Sequence, residues 1–133
     1  MTKQLIHSFS LILLATATSY ASDSGIVAQI PFAFHVGDSL LLAGNYTVDT
    51  QKVPGALQLK SADAKSLVTI FYQSVQSVTA PSQNKLIFTK YGDEYFLFQV
   101  WVANSDRGHE LRRSRREREL GMRAQLKSLI AGQ

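Results

Sequence analysis

The chain has 133 residues, with 14 lysines and arginines against 10 aspartates and glutamates, and no cysteine. The missing cysteine excludes disulfides, thiolate metal sites, cysteine nucleophiles and a lipid anchor on a cysteine. A chain of this length can fold as one domain on its own core, burying about two-thirds of its unfolded surface.

Met1-Thr2-Lys3-Gln4 is a short, positive opening, and residues 5–17 are mostly apolar. Ser19-Tyr20-Ala21 then places small residues three and one before a break at Ser22. This is the three-part layout of a secretory leader, with cleavage expected after Ala21. The apolar stretch is shorter than the roughly 20 residues that a membrane-spanning helix needs. No later stretch is both apolar and long enough, so no transmembrane span is expected in residues 22–133. The expected destination is the periplasm or the exterior.

Charge divides what remains. Residues 22–106 hold five lysines, no arginine and seven acids, while residues 107–133 hold seven arginines, one lysine and three glutamates. A mildly acidic body therefore carries a basic extension, the asymmetry of an interacting tail. The predicted organisation is a leader over 1–21, a β-rich domain over 22–106 and a basic helical segment over 107–133.

The body reads as strands. Residues 26–34 alternate, with Ile26, Ala28, Ile30, Phe32 and Phe34 on one face. Pro31 cannot donate to a ladder and predicts an edge or a bulge. Val36-Gly37-Asp38-Ser39 is a turn, residues 40–43 a short apolar run, and Tyr46, Val48 and Thr50 share one side of the next strand. Pro54-Gly55 is a turn signal, followed by a strand over 56–61 and another over 67–75. The clearest hairpin joins 85–91 to 95–103 through Gly92-Asp93-Glu94. Its second arm is apolar on both faces and needs cover on both. The prediction is a mainly β protein: an antiparallel sandwich or small barrel of about seven strands with one C-terminal α-helix.

Residues 104–109 are polar and predict the end of the sheet. In residues 111–120, LRRSRREREL, Ser114 and Glu117 have capping-box spacing, which starts a helix at Arg115 running to 130. Met122, Leu126, Leu129 and Ile130 make an apolar stripe that would cover the sheet. The earlier half is polar all round and would be held by pairs such as Arg113–Glu117 and Arg115–Glu119. Arg112, Arg113, Arg115, Arg116 and Arg118 are the candidate partner-binding residues, as multivalent cation donors. Glutamates dilute the patch, no aromatic interleaves it and the chain is exported, so nucleic acid is disfavoured. An anionic envelope surface or an acidic partner protein fits better. A plain solvated helix uses the same residue types.

Catalytic signals are weak. His35 and His109 lack zinc-ligand spacing, and Asp93-Glu94 is an acid pair in a turn. No nucleophile elbow, phosphate loop or dinucleotide fingerprint occurs. No metal, cofactor or catalytic residue is predicted, and the expectation is a non-enzymatic binding or structural module. The alternative is a small-ligand carrier or hydrolase with an aromatic cleft near Tyr72, Tyr91, Tyr95 or Trp101.

Four segments stand in order: Ile30-Pro31-Phe32-Ala33-Phe34-His35-Val36-Gly37, then Leu42-Ala43-Gly44-Asn45-Tyr46-Thr47-Val48, then Tyr91-Gly92-Asp93-Glu94-Tyr95-Phe96-Leu97 with Trp101. The fourth runs from Gly108-His109-Glu110-Leu111 through Ser114-Arg115-Arg116-Glu117-Arg118-Glu119-Leu120. This set resembles a group of small exported bacterial proteins of the acidobacterial type. The resemblance implies a leader and a β-rich domain, and transfers no site residues. Leu42 and Arg112 stand where the pattern has proline.

Overall fold

The computed structural model describes residues 11–15, 20–22 and 25–131. Most of the expected leader, residues 1–10 and 16–19, lies outside the described residues, as does Gly132 beyond the expected helix end. Among the described residues the protein is mainly β, with one helix, at the C-terminal end.

Eleven strands occur among the described residues: β1 (Leu11–Ala15), β2 (Tyr20–Ser22), β3 (Gly25–Ile30), β4 (Phe34–Val36), β5 (Ser39–Leu41), β6 (Gly44–Asp49), β7 (Ala56–Ser61), β8 (Leu67–Gln76), β9 (Lys85–Tyr91), β10 (Glu94–Trp101) and β11 (Arg107–Leu111). Helix α1 (Arg115–Ala131) follows. The strand order is β1-β9-β10-β11-β8-β7-β6-β3-β2, with the β4–β5 hairpin attached to β10.

Strand β8 holds the two layers together. Residues 67–71 pair with β7 and residues 72–76 pair with β11, so one ten-residue strand serves both. At the opposite margin the layers end in β9 and β3. There β1 pairs antiparallel with β9, from Leu11↔Lys90 to Ala15↔Leu86, and β2 pairs with β3. Part of the expected leader is thus a sheet strand in the full chain.

Alternation places the core as the sequence predicts. Ile26, Ala28 and Ile30 of β3, Tyr46 and Val48 of β6, and Leu86 and Phe88 of β9 are buried between the layers. Pro31 marks where the chain leaves β3, and Phe34 enters the core from β4 on the other layer. The expected single strand over 26–34 is therefore two. The Pro54-Gly55 signal closes as a type II turn: Ala56 N–H donates to Val53 O at 3.1 Å, and Gly55 at φ 75° fills the position that needs it.

Two further features of the sheet differ from expectation. The sheet continues past residue 106, so the expected division there falls inside it. Strand β11 lies between β10 and β8 in the strand order, because Gly108 lets the Trp101 ring lie on it. A Cβ at Gly108 would come within 2.6 Å of that ring. The second feature is a register shift between Leu97 and Gln99. This bulge breaks the simple two-face alternation of β10: Phe96 and Leu97 are both buried while Phe98 is only half-buried.

Helix α1 starts where predicted. Glu117 N–H donates to Ser114 Oγ at 3.1 Å and Arg118 N–H to Ser114 O at 3.0 Å. The packing is the reverse of the prediction. The first two turns dock, through Glu117 and the close approach of Gly121 to the Tyr91 ring. The apolar stripe does not cover the sheet: Met122, Leu126 and Leu129 are 65%, 58% and 62% exposed. The physical reason lies in β9, whose Thr89 and Tyr91 hydroxyls are buried beneath the helix and need a strong acceptor more than the helix needs an apolar partner. No helix among the described residues is long and apolar enough to cross a membrane.

Candidate functional site

The arginine segment meets the sheet through Glu117, which is 3% exposed. Its Oε2 accepts from Thr89 Oγ1 at 2.7 Å, from Tyr91 OH at 3.3 Å and from Arg113 Nη1 at 3.2 Å. Arg113 also donates to Tyr91 OH at 2.7 Å and lies 4.7 Å over the Phe98 ring centroid. Burial, and after it the nearby Glu117 carboxylate, raises the pKa of the Tyr91 phenol. The capping box is thus half used. Serine caps the helix, but the glutamate turns into the sheet instead of reaching back to the cap.

Arg116, the neighbouring residue, reaches the β9–β10 turn. Its Nε and Nη2 grip Glu94 at 3.2 and 2.7 Å, a two-point fork. His35 Nε2 lies 3.2 Å from the same carboxylate and its ring stacks on Phe96 at 4.4 Å. Glu94 therefore ties the β9–β10 turn to β4 and α1. The hydrogen bond from Arg116 holds the Glu94 carboxyl below the usual carboxylate range. A carboxyl held low when folded contributes stability above its unfolded value, near 4.3, and that contribution fades as pH falls through the folded value. A Glu94→Gln chain should lose less stability than the parent on acidification from about pH 5 to about pH 3. The pair is partly exposed, so the difference should be a few tenths of a kcal/mol. Denaturant titrations at both pH values check it, and equal losses in the two chains would refute the clamp.

The other four arginines border one concavity. A groove of about 1120 Å³ opens between the start of α1, the β4–β5 turn and residues of β8, β10 and β11. Arg112, Arg113, Arg115 and Arg118 line it, together with Asp38 and Glu110. Arg115 is widely exposed, 3.8 Å from Glu119, and Arg118 Nη1 donates to Arg113 O at 2.9 Å. The fold thus brings Arg112, Arg113, Arg115 and Arg118 together and separates Arg116 from them. Arg113 and Arg116 work as internal ties, whereas Arg112, Arg115 and Arg118 carry their charge at the groove.

The four aromatics named for a cleft lie in different places. Tyr72 lines the groove, with its ring edge against His109 at 4.5 Å. Tyr91 is buried under α1, and Tyr95 stacks on Phe32 at 4.0 Å. Trp101 sits by Gly108 and borders a separate hollow of about 400 Å³. Phe71 and Phe98 furnish the groove instead. The run over 67–75 gave no sign that Phe71 faces outward, because β8 is flanked by apolar residues at both parities. Among the described residues no three of His, Asp and Glu gather closely enough to share a metal ion. No protein-family model, no curated protein and no solved structure matches this chain.

Proposed function

We propose that the chain is exported by its leader and acts as a binding module that settles on an anionic envelope surface through α1. The observation that carries this reading is the outward stripe of the helix. Met122, Leu126 and Leu129 are exposed at i, i+4 and i+7. At 100° per residue, Arg115 and Arg118 fall on the same side, one turn earlier. The opposite side holds Glu117 and Gly121, which face the sheet. A helix fixed by one side therefore offers cations followed by apolar side chains on the other. That combination suits an interface where phosphates lie over acyl chains: guanidinium forks take the phosphates and the stripe enters the boundary. The resemblance to exported proteins and the leader-like opening support the location.

Co-sedimentation with vesicles tests the reading. Vesicles containing phosphatidylglycerol should bind the chain at low salt, and those of phosphatidylcholine alone should not. Substituting Met122→Ser, Leu126→Ser and Leu129→Ser together should weaken binding at least about tenfold, since each lost apolar contact removes on the order of 1 kcal/mol. Binding to soluble polyglutamate with none to vesicles would replace the membrane by an acidic protein partner.

A further inference from the structure

We propose that the groove under the start of α1 is a binding site for a single-chain anionic amphiphile, with its carboxylate or phosphate head on the arginine rim and its hydrocarbon chain along Phe71, Ile70 and Phe98. Three observations converge. The first is an apolar side chain left outward in the right place: Phe71 is 75% exposed on β8 and borders the groove, which the partly buried Ile70 and Phe98 also line. The bulge in β10 sets Phe98 there, beneath the Arg113 guanidinium. A single exposed phenylalanine is ordinary, but Phe71 borders one concavity together with the half-buried Phe98 and with Ile70, whose other contacts are to the core, and these apolar atoms are ones an alkyl chain could cover.

The second observation is charge. Four guanidiniums border the groove against two carboxylates. Glu110 already accepts from Gln73 at 3.1 Å and Gln99 at 2.7 Å, and Arg113 is committed to Glu117 and Tyr91. Arg112, Arg115 and Arg118 line the rim with Asp38; Arg115 lies 3.8 Å from Glu119 and Arg118 gives one nitrogen to Arg113 O, but all three are exposed, so the opening favours an anionic head. Guanidinium geometry matches carboxylate and phosphate alike. The third observation is shape. At about 1120 Å³ and open along one side, the groove is larger than a compact polar metabolite fills, but can hold part of an elongated chain.

This inference deepens the envelope reading, since Arg115 and Arg118 belong to both the groove and the outward stripe. The two are separable by experiment. The full chain is titrated by calorimetry with dodecanoate, dodecyl phosphate and neutral dodecyl maltoside, each below its micelle concentration. Methyl and aromatic NMR signals of Ile70 and Phe71 report where they bind. Both anions should bind and shift these signals, and the neutral chain should bind at least tenfold more weakly. Preference for the phosphate would assign a phospholipid-type head, and preference for the carboxylate a free fatty acid. Phe71→Ser, on an outward strand position, should weaken both anions tenfold or more, as should Arg112→Ala with Arg118→Ala. The triple serine stripe variant should leave these affinities unchanged while losing vesicles. Equal binding of the neutral chain, no effect of Phe71→Ser, or equal binding of a nucleoside monophosphate would overturn the proposal.

Discussion

Replacing Glu117 by alanine should lower stability by about 3 kcal/mol, while Glu119→Ala, two residues on, should cost less than about 0.5 kcal/mol. The two glutamates differ in surroundings, not in chemistry. Glu119 is half-exposed and stands 3.8 Å from an arginine in water. Glu117 is buried and accepts three hydrogen bonds from three side chains. Without it, the Thr89 and Tyr91 hydroxyls lose their buried acceptor, and each orphaned group costs about 1–3 kcal/mol. Arg113 is partly exposed and can turn toward water, which limits the loss to the lower end of the range for a broken buried pair. The helix should then detach. A 17-residue helix carrying Gly121 is marginal by itself. Thermal unfolding should shift downward by on the order of 10 °C, with a drop in helical circular dichroism before the main transition. Glu117→Gln keeps the shape and an acceptor, so it should fall between the two alanines. Equal behaviour of the Glu117 and Glu119 variants would show that the helix is held by something other than this carboxylate.

How far the sequence predicts the molecule follows from which forces are local. Alternation in residues 26–30 and 46–48, the Pro54-Gly55 turn and the Gly92-Asp93 hairpin are local, and all appear in the structure. The helix start at Ser114 is local too, because one serine oxygen satisfies one amide. Strand β11 is not local. Arg107-Gly108-His109-Glu110-Leu111 has little strand character, and its place is set by β8, β10 and the Trp101 ring over Gly108. The docking side of α1 is likewise set from outside. Apolar periodicity pointed Met122, Leu126 and Leu129 inward, but two hydroxyls on β9 selected Glu117. A trace of this was visible beforehand: Thr89 and Tyr91 share one parity of β9, and Glu117 is the acid nearest the helix start. For the candidate site, the five arginines were legible as residues. Their division into ties and groove residues was not, because it depends on where Glu94 and Glu117 come to lie.

Cleavage after Ala21 should turn β9 from a strand paired on both sides into a sheet edge. In the full chain the main-chain groups of residues 86–90 face β1 on one side and β10 on the other. A chain beginning at Ser22 lacks β1 and all but the last residue of β2. Amides that alternate along β9 and point toward β1 should then exchange with solvent at least about a hundredfold faster, because local opening no longer has to break a strand pair. Amides in β11, which pairs with β10 on one side and β8 on the other, should be unchanged. The core residues contributed by β9 point between the layers and do not need β1, so the cleaved chain should keep its fold. Lys85 and Lys90 then sit on the new edge, as charged residues do where natural sheets resist pairing with a second copy. Residues 11–15 can pair this way because the apolar composition expected of a leader is also that of a buried strand. Hydrogen exchange on the two chains side by side decides the matter. Equal protection of β9 in both, in monomers by size-exclusion chromatography, would mean that the leader never holds that edge or that β3 closes onto it after cleavage.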